Sequence, residues 1–272
     1  MRSPSYLLPV ADTEFLLRDE MRGIRFALEF NKAELLLHDW RIRSTVVVFG
    51  SARAPSPETA ETLLRAATGA EAVAAAKRLA EHARYYEEAR RFARLVSKEG
   101  GAIVPDGHTR DNVIATGGGP GIMEAANRGA AEVGAPSIGF NIQLPREQQP
   151  NPYSTPELTF RFHYFAMRKM HLAMRANGLA VFPGGYGTLD ELFELLTLKQ
   201  TGKAPPLPIV LVGRSYWQRV INFEALLEAG AIDRDELGLV ELVDSAEDAW
   251  AAMLRVGLRA HTPEALAAGA WP

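Results

Sequence analysis

The stretch Leu179-Ala180-Val181-Phe182-Pro183-Gly184-Gly185-Tyr186-Gly187-Thr188-Leu189-Asp190-Glu191 constrains the chain more than any other. An apolar run of strand type enters a glycine turn, and the turn opens into the helical pattern Leu192-Phe193-Glu194-Leu195-Leu196. Such a junction aims bare N–H groups and the positive end of a helix dipole at one spot, and glycine lets a ligand come close. A carboxylate, Glu191, follows just inside the helix. The segment reads as a site for a phosphorylated small molecule with an acid or base beside it.

The same rhythm recurs along the chain. Strands are expected at Thr45–Phe49, Val113–Thr116, Ser137–Phe140, Leu179–Phe182, Pro208–Val212 and Leu239–Val243. Between them, helical patterns cover Ala70–Glu99, Ile122–Val133, Phe165–Asn177, Tyr216–Leu227 and Ala246–Leu258. Ala54–Gly69 and Gln143–Pro156, each with prolines, read as loops. Alternation of this kind predicts an α/β fold: a single doubly wound, Rossmann-like, mostly parallel sheet with helices on both faces and ligands at the strand carboxyl ends. Residues 1–43 form an amino-terminal helical extension, 44–258 the Rossmann-like domain and 259–272 a tail. In the extension, Leu17, Met21, Ile24, Leu28 and Leu35 recur at helical spacing, which predicts a face packed on the domain or on a partner subunit.

Composition removes several classes of function. A net charge of -3 argues against a general nucleic-acid binder. The absence of cysteine excludes disulfides, thiolate metal sites and cysteine nucleophiles. His163 and His171 lack metal-ligand spacing, so no metal and no resident cofactor are expected. No signal-type core follows Met1, and no apolar run approaches the roughly 20 residues that span a bilayer, so a cytoplasmic protein without membrane contact is expected.

Three strand ends carry glycine: Gly50, the cluster Gly117–Gly121 and the cluster Gly184–Gly187. Neither cluster is a dinucleotide fingerprint, since Glu124 replaces the last small residue, and no Gly-Lys-Ser/Thr ends a phosphate loop. The loops suit a monophosphate. Thr188 and Glu191 also fit a capping box, which needs no chemistry and which spacing alone slightly favours. Arg168, His171 and Arg175 share one helical face, and periodicity alone favours a solvated basic face over a phosphate clamp.

At these residues the chain resembles the Lonely Guy family, long labelled lysine decarboxylase-like. The hallmark Pro-Gly-Gly-x-Gly-Thr-x-x-Glu runs without gaps from Pro183 to Glu191, Arg168-Lys169 matches the upstream pair, and Gly117 to Met123 matches Gly-Gly-Gly-x-x-x-Met. Asp190 stands in place of the usual glutamate. Glu124 and Met167 stand where compact members carry glycine and glutamate. The resemblance spans roughly Thr45 to Leu258. It implies a phosphoribohydrolase that cleaves the N-glycosidic bond of a nucleoside 5′-monophosphate, AMP or an N6-modified AMP, to free base and ribose 5-phosphate.

Carried over by position, Arg168 and Glu191 are the catalytic pair, with the charge of Arg168 keeping Glu191 ionised. Gly184, Gly185, Gly187 and Thr188 hold phosphate, while Gly118, Gly119, Gly121, Met123 and Lys169 serve the nucleotide pocket. The resemblance also implies a homodimer or higher homo-oligomer. Two other classes stay open: a pyridoxal-phosphate decarboxylase and a non-catalytic nucleotide or cofactor carrier of the same fold.

Overall fold

A computed structural model describes residues 3–105, 107–143, 149–204 and 206–258. The tail at 259–272 and part of the polar loop after Gln143 lie outside them. Seven strands form one sheet: β1 Thr45–Phe49, β2 Val113–Thr116, β3 Ser137–Ile142, β4 Thr159–Phe162, β5 Ala176–Val181, β6 Ile209–Val212 and β7 Glu241–Val243. Their order is β4-β3-β2-β1-β5-β6-β7, and every neighbouring pair is parallel. The expected fold class is therefore correct, and the sheet is wholly parallel.

Strands with every residue buried, such as Thr45–Phe49, Val113–Thr116 and Ile209–Val212, need cover on both faces. Helices supply it. They are α1 Thr13–Leu16, α2 Arg22–Asp39, α3 Pro57–Ala66, α4 Ala70–Glu81, α5 Ala83–Glu99, α6 Ile122–Ala131, α7 Phe165–Met174, α8 Tyr186–Gln200, α9 Arg214–Val220, α10 Phe223–Glu228 and α11 Ala246–Val256. The buried stripe Ala89, Phe92, Ala93 and Val96 of α5 recurs at i, i+3, i+4 and i+7 and joins the core formed by β1, β2, β5 and β6.

The local departures from expectation have local causes. Ala54–Gly69 is not all loop: Pro57 opens α3, where a missing N–H costs nothing, and Ser56 caps it by accepting from Thr59 N at 3.2 Å. The Ala70–Glu99 pattern is two helices that meet at His82. Tyr216–Leu227 likewise splits at Ile221-Asn222, where Asn222 caps α10. The apolar stripe of the extension does not face the domain. Leu17, Ile24, Leu28 and Leu35 are exposed, while α2 buries Ala33 and Leu37 instead.

What the topology does for function lies at β1. The chain leaves β1 toward β2, β3 and β4, then returns to the other side of β1 for β5, β6 and β7. The loops after β1 and β5 therefore part at a switch point, the place where open α/β sheets leave a crevice.

Candidate active site

The crevice is lined by loops at the strand ends and by residues of three helices. The loop after β1 gives Gly50, Ser51, Ala52 and Arg53; the loop after β2 gives Gly117, with Met123 from α6; the start of α8 gives Gly185, Tyr186, Gly187 and Thr188; and α7 gives Arg168. The cavity holds about 550 Å³. That volume falls within the usual range for small-molecule sites.

Helix α8 begins earlier than the capping-box reading requires. Gly185 is the N-cap, with no side-chain cap, and Thr188 and Leu189 both donate their N–H to the Gly185 carbonyl at 3.0 Å. Thr188 is thus the third helical residue and Glu191 the sixth, one turn too deep for a box. The Tyr186 and Gly187 N–H groups belong to the first turn, where helices lack internal acceptors, and both residues line the cavity. Close packing requires glycine at position 184. A Cβ at Gly184 would lie 2.2 Å from Thr188 Oγ1 and 3.0 Å from Ser51 N. Tyr216 O–H donates to the Gly184 carbonyl at 2.6 Å and pins the loop from the β6 side.

Glu191 is 3% exposed, and its Oε1 accepts from Arg168 Nη2 at 3.2 Å. Burial pushes the Glu191 carboxyl above the ordinary carboxylate range, against the pull of Arg168 and Lys169 and with the help of nearby Glu194 and Asp190. Arg168 favours the ionised form, as expected, but desolvation outweighs the guanidinium in setting the direction of the shift. The basic face of α7 is not solvated either. Arg175 forms a fork to Glu34 of α2, 2.8 Å from Nη1 and 2.5 Å from Nη2, and His171 is buried.

Lys169 sits apart from the crevice. It lies in a neighbouring groove between Asp190 Oδ2 at 2.7 Å and Glu194 Oε2 at 2.9 Å. Burial works against its charge, but the carboxylate hydrogen bonds prevail and raise its pKa.

Gly118, Gly119 and Gly121 shape the second wall from behind. Gly118 N donates to Thr116 Oγ1 at 2.9 Å, the Gly118 carbonyl accepts from Asn151 N at 2.9 Å, and the Gly119 carbonyl accepts from Asn151 Nδ2 at 3.1 Å. Asn127, wholly buried, joins this set: its Oδ1 accepts from Thr116 Oγ1 at 2.8 Å and from Asn151 Nδ2 at 2.9 Å, and its Nδ2 donates to Ser137 Oγ at 2.9 Å. Gly121 has φ of 73°, and a Cβ there would lie 2.3 Å from the Ser51 carbonyl oxygen. A Cβ at Gly117 would lie 2.9 Å from Met123 Sδ, the flexible end of a side chain that can move aside. Sequence reasoning missed Asn127, Asn151 and Tyr216, which position the loops, and left Ser51 and Arg53 without a role. For the last two the signal was present, as Gly50-Ser51-Ala52-Arg53 directly follows a strand.

The fold and crevice define a class: a parallel α/β protein with a glycine-lined crevice and one buried carboxylate at its switch point. Residues 123–253 match the family model described as "Possible lysine decarboxylase". The chain is 26% identical over 138 residues to a probable cytokinin riboside 5′-monophosphate phosphoribohydrolase, LOG4, of Oryza sativa subsp. japonica, covering 50% of this chain and 59% of that protein. It is 31% identical over 93 residues to the cytokinin riboside 5′-monophosphate phosphoribohydrolase LOG of the same plant, covering 34% and 37%. Over the matched residues the chain is similar to the Lonely Guy phosphoribohydrolases. It spans less than two thirds of the length of either relative.

Two solved structures are similar as well. One is the structural-genomics target TM1055, at TM-score 0.47 and 19% identity over 78% of this chain and 99% of that one. The other is the molybdenum cofactor binding protein of the phototrophic bacterium Rippkaea orientalis, at 0.45 and 16% over 79% and 96%.

Proposed function

We propose that the protein is a phosphoribohydrolase that hydrolyses the N-glycosidic bond of nucleoside 5′-monophosphates, with AMP or an N6-modified AMP as substrate. The observation that carries this reading is the buried Glu191–Arg168 pair beside the first-turn N–H groups of α8. The two features answer the two parts of such a substrate, a phosphate to hold and a ribose carbon to attack.

In the reaction, the bond between C1′ and the base nitrogen breaks with its electrons leaving on the base. A water oxygen bonds to C1′ as positive charge gathers on the ribose. Glu191 takes the water's proton and stabilises that charge, and the departing base is protonated from solvent. A positioned carboxylate of this kind contributes ~10²–10⁴-fold. The start of α8 and Thr188 hold the 5′-phosphate, so binding energy remote from the reacting carbon orients it. Arg168 holds ribose or phosphate oxygens and fixes the carboxylate of Glu191.

The lysine decarboxylase label finds no support in the crevice, as no lysine is among its lining residues and Lys169 is tied into two ion pairs nearby. The exposed Leu17, Ile24, Leu28 and Leu35 support an oligomeric protein, which light scattering of purified material checks.

The deciding experiment offers a panel of nucleoside 5′-monophosphates and the matching nucleosides, and follows free base and ribose 5-phosphate by chromatography. Release from monophosphates alone supports the assignment and ranks the bases. Binding without release from any of them moves the assignment to a nucleotide carrier.

A further inference from the structure

An incoming phosphate dianion needs positive charge that the protein has not already spent on its own carboxylates. Arg168 faces Glu191 at 3.2 Å, and Lys169 faces Asp190 and Glu194 at 2.7 and 2.9 Å. Those residues together carry two positive and three negative formal charges. The backbone N–H groups at the start of α8 supply partial charge only. Arg53 is different: it lines the same cavity as Gly185, Gly187 and Thr188, its side chain is exposed, and it forms no ion pair among the described residues.

The loop that carries Arg53 is also held in place by the residues that flank both glycine clusters. Ser51 N donates to the Pro183 carbonyl at 2.9 Å, and Ile122 N donates to the Ser51 carbonyl at 3.1 Å. Arg53 N donates to Ser51 Oγ at 3.1 Å and closes the turn. The bare Gly121 and Gly184 crowd the same backbone from two sides. Two anchors on residue 51 therefore set where residue 53 emerges, at the mouth of the crevice.

We propose that Arg53 is the phosphate-recognition residue of this site. Its guanidinium closes over the 5′-phosphate held by the α8 amides, and it makes the enzyme select nucleotides over nucleosides. The inference rests on the phosphoribohydrolase reading for the identity of the ligand. A planar fork matches two phosphate oxygens at once, which a lysine cannot do.

The test compares wild type, Arg53→Ala and Arg53→Lys by calorimetric titration with AMP and with adenosine, alongside base release from AMP. A charge-assisted contact of this type is worth about ten- to hundred-fold. Arg53→Ala is therefore expected to weaken AMP binding and raise KM by that factor, with kcat changed far less and adenosine binding unchanged. Arg53→Lys is expected to fall between. Circular dichroism confirms folding, which an exposed side chain has little power to disturb. AMP binding in Arg53→Ala equal to wild type overturns the inference and leaves the proposed function standing. Wild type that prefers AMP over adenosine through Arg53 but releases no base sinks the proposed function and leaves the inference standing. Wild type that does not prefer AMP over adenosine overturns both.

Discussion

Arg168 Nη2 donates to Glu191 Oε1 at 3.2 Å, and yet the carboxyl it contacts holds its proton more tightly than a free glutamate would. Burial at 3% exposure explains the apparent contradiction, because losing water costs a carboxylate more than this one guanidinium returns. A base with a raised pKa is better matched to work near neutral pH than an ordinary glutamate.

Glu191→Gln is expected to lower kcat by ~10²–10⁴-fold while AMP still binds. In wild type, the acid limb of kcat/KM should fall at a pH above the ordinary glutamate value of roughly 4.3. Linkage supplies a second readout. A raised carboxyl binds more protons folded than unfolded, so its contribution to stability falls as pH rises from the unfolded pKa through the folded one. The melting temperature of Glu191→Gln minus that of wild type should therefore increase from pH 4.5 to pH 7, whatever its starting value. A flat difference would show that Glu191 is not desolvated in the folded protein.

The glycines of the α8 loop separate into two kinds. A Cβ at Gly184 meets Thr188 Oγ1 at 2.2 Å and Thr188 Cβ at 2.8 Å, whereas Gly187 has nothing within 4 Å of its ideal Cβ. Gly184→Ala is expected to cost about 1–3 kcal/mol of stability through overpacking and to disturb the loop. Gly187→Ala, inside the first turn of α8, is expected to keep or raise stability, since alanine favours helix over glycine by about 1 kcal/mol. Any loss of AMP affinity in Gly187→Ala would then report a methyl group in the ligand's space. Denaturant melts with AMP titrations resolve the two.

Asn127 is the hub behind the second glycine loop. Removing its side chain takes one hydrogen bond each from Thr116 Oγ1, Asn151 Nδ2 and Ser137 Oγ, which it holds at 2.8, 2.9 and 2.9 Å; Thr116 Oγ1 keeps Gly118 N and Asn151 Nδ2 keeps the Gly119 carbonyl. Asn127→Ala is expected to cost about 1–3 kcal/mol for each partner left unsatisfied and to raise KM, because Asn151 positions the Gly118 and Gly119 carbonyls. Urea unfolding and steady-state kinetics check both parts.

Contacts close in sequence were legible, and contacts across the fold were not. Six of the strands stand out as apolar runs. The missed one, β4 at Thr159–Phe162, lies at the sheet edge with Arg161 exposed and follows a proline-rich segment, so neither burial nor flanking residues mark it. The hallmark placed Glu191 and Arg168 together because both sit in recognisable local patterns. The partners of α7 were hidden: Glu34 is 141 residues from Arg175, and periodicity cannot distinguish a solvated basic face from one covered by another helix. The stripe on α2 misled for a related reason. Spacing identified an amphipathic helix, but a different face docks, with Ala33 and Leu37 buried and Phe26 against Tyr164 at 4.4 Å. Thr188 and Glu191 mimicked a capping box, but the helix starts at Tyr186 with Gly185 as its N-cap, which puts both residues a turn too deep.

His171 ties that extension to the domain and should make its docking pH-dependent. The ring is 1% exposed and stacked on Phe30 at 5.1 Å and Phe140 at 6.0 Å, with Phe162 tilted against it at 5.6 Å. Its Nε2 lies 3.2 Å from the Phe30 carbonyl oxygen, which can only accept, so the neutral ring carries its proton there. Burial lowers the pKa of His171, Arg175 lowers it further, and Glu34 opposes them. A histidine kept neutral in the fold adds stability that is complete above its unfolded pKa of about 6.5 and is lost as pH falls toward the folded value. The melting temperature of wild type should therefore drop between pH 7.5 and pH 5.5 by more than that of His171→Leu, whose buried side chain cannot titrate. Glu34, held below the usual carboxylate range by Arg175, loses its own contribution only at more acid pH, which keeps the window specific to the histidine. Equal slopes in the two proteins would mean that protonation of this ring does not oppose docking of α2 on α7.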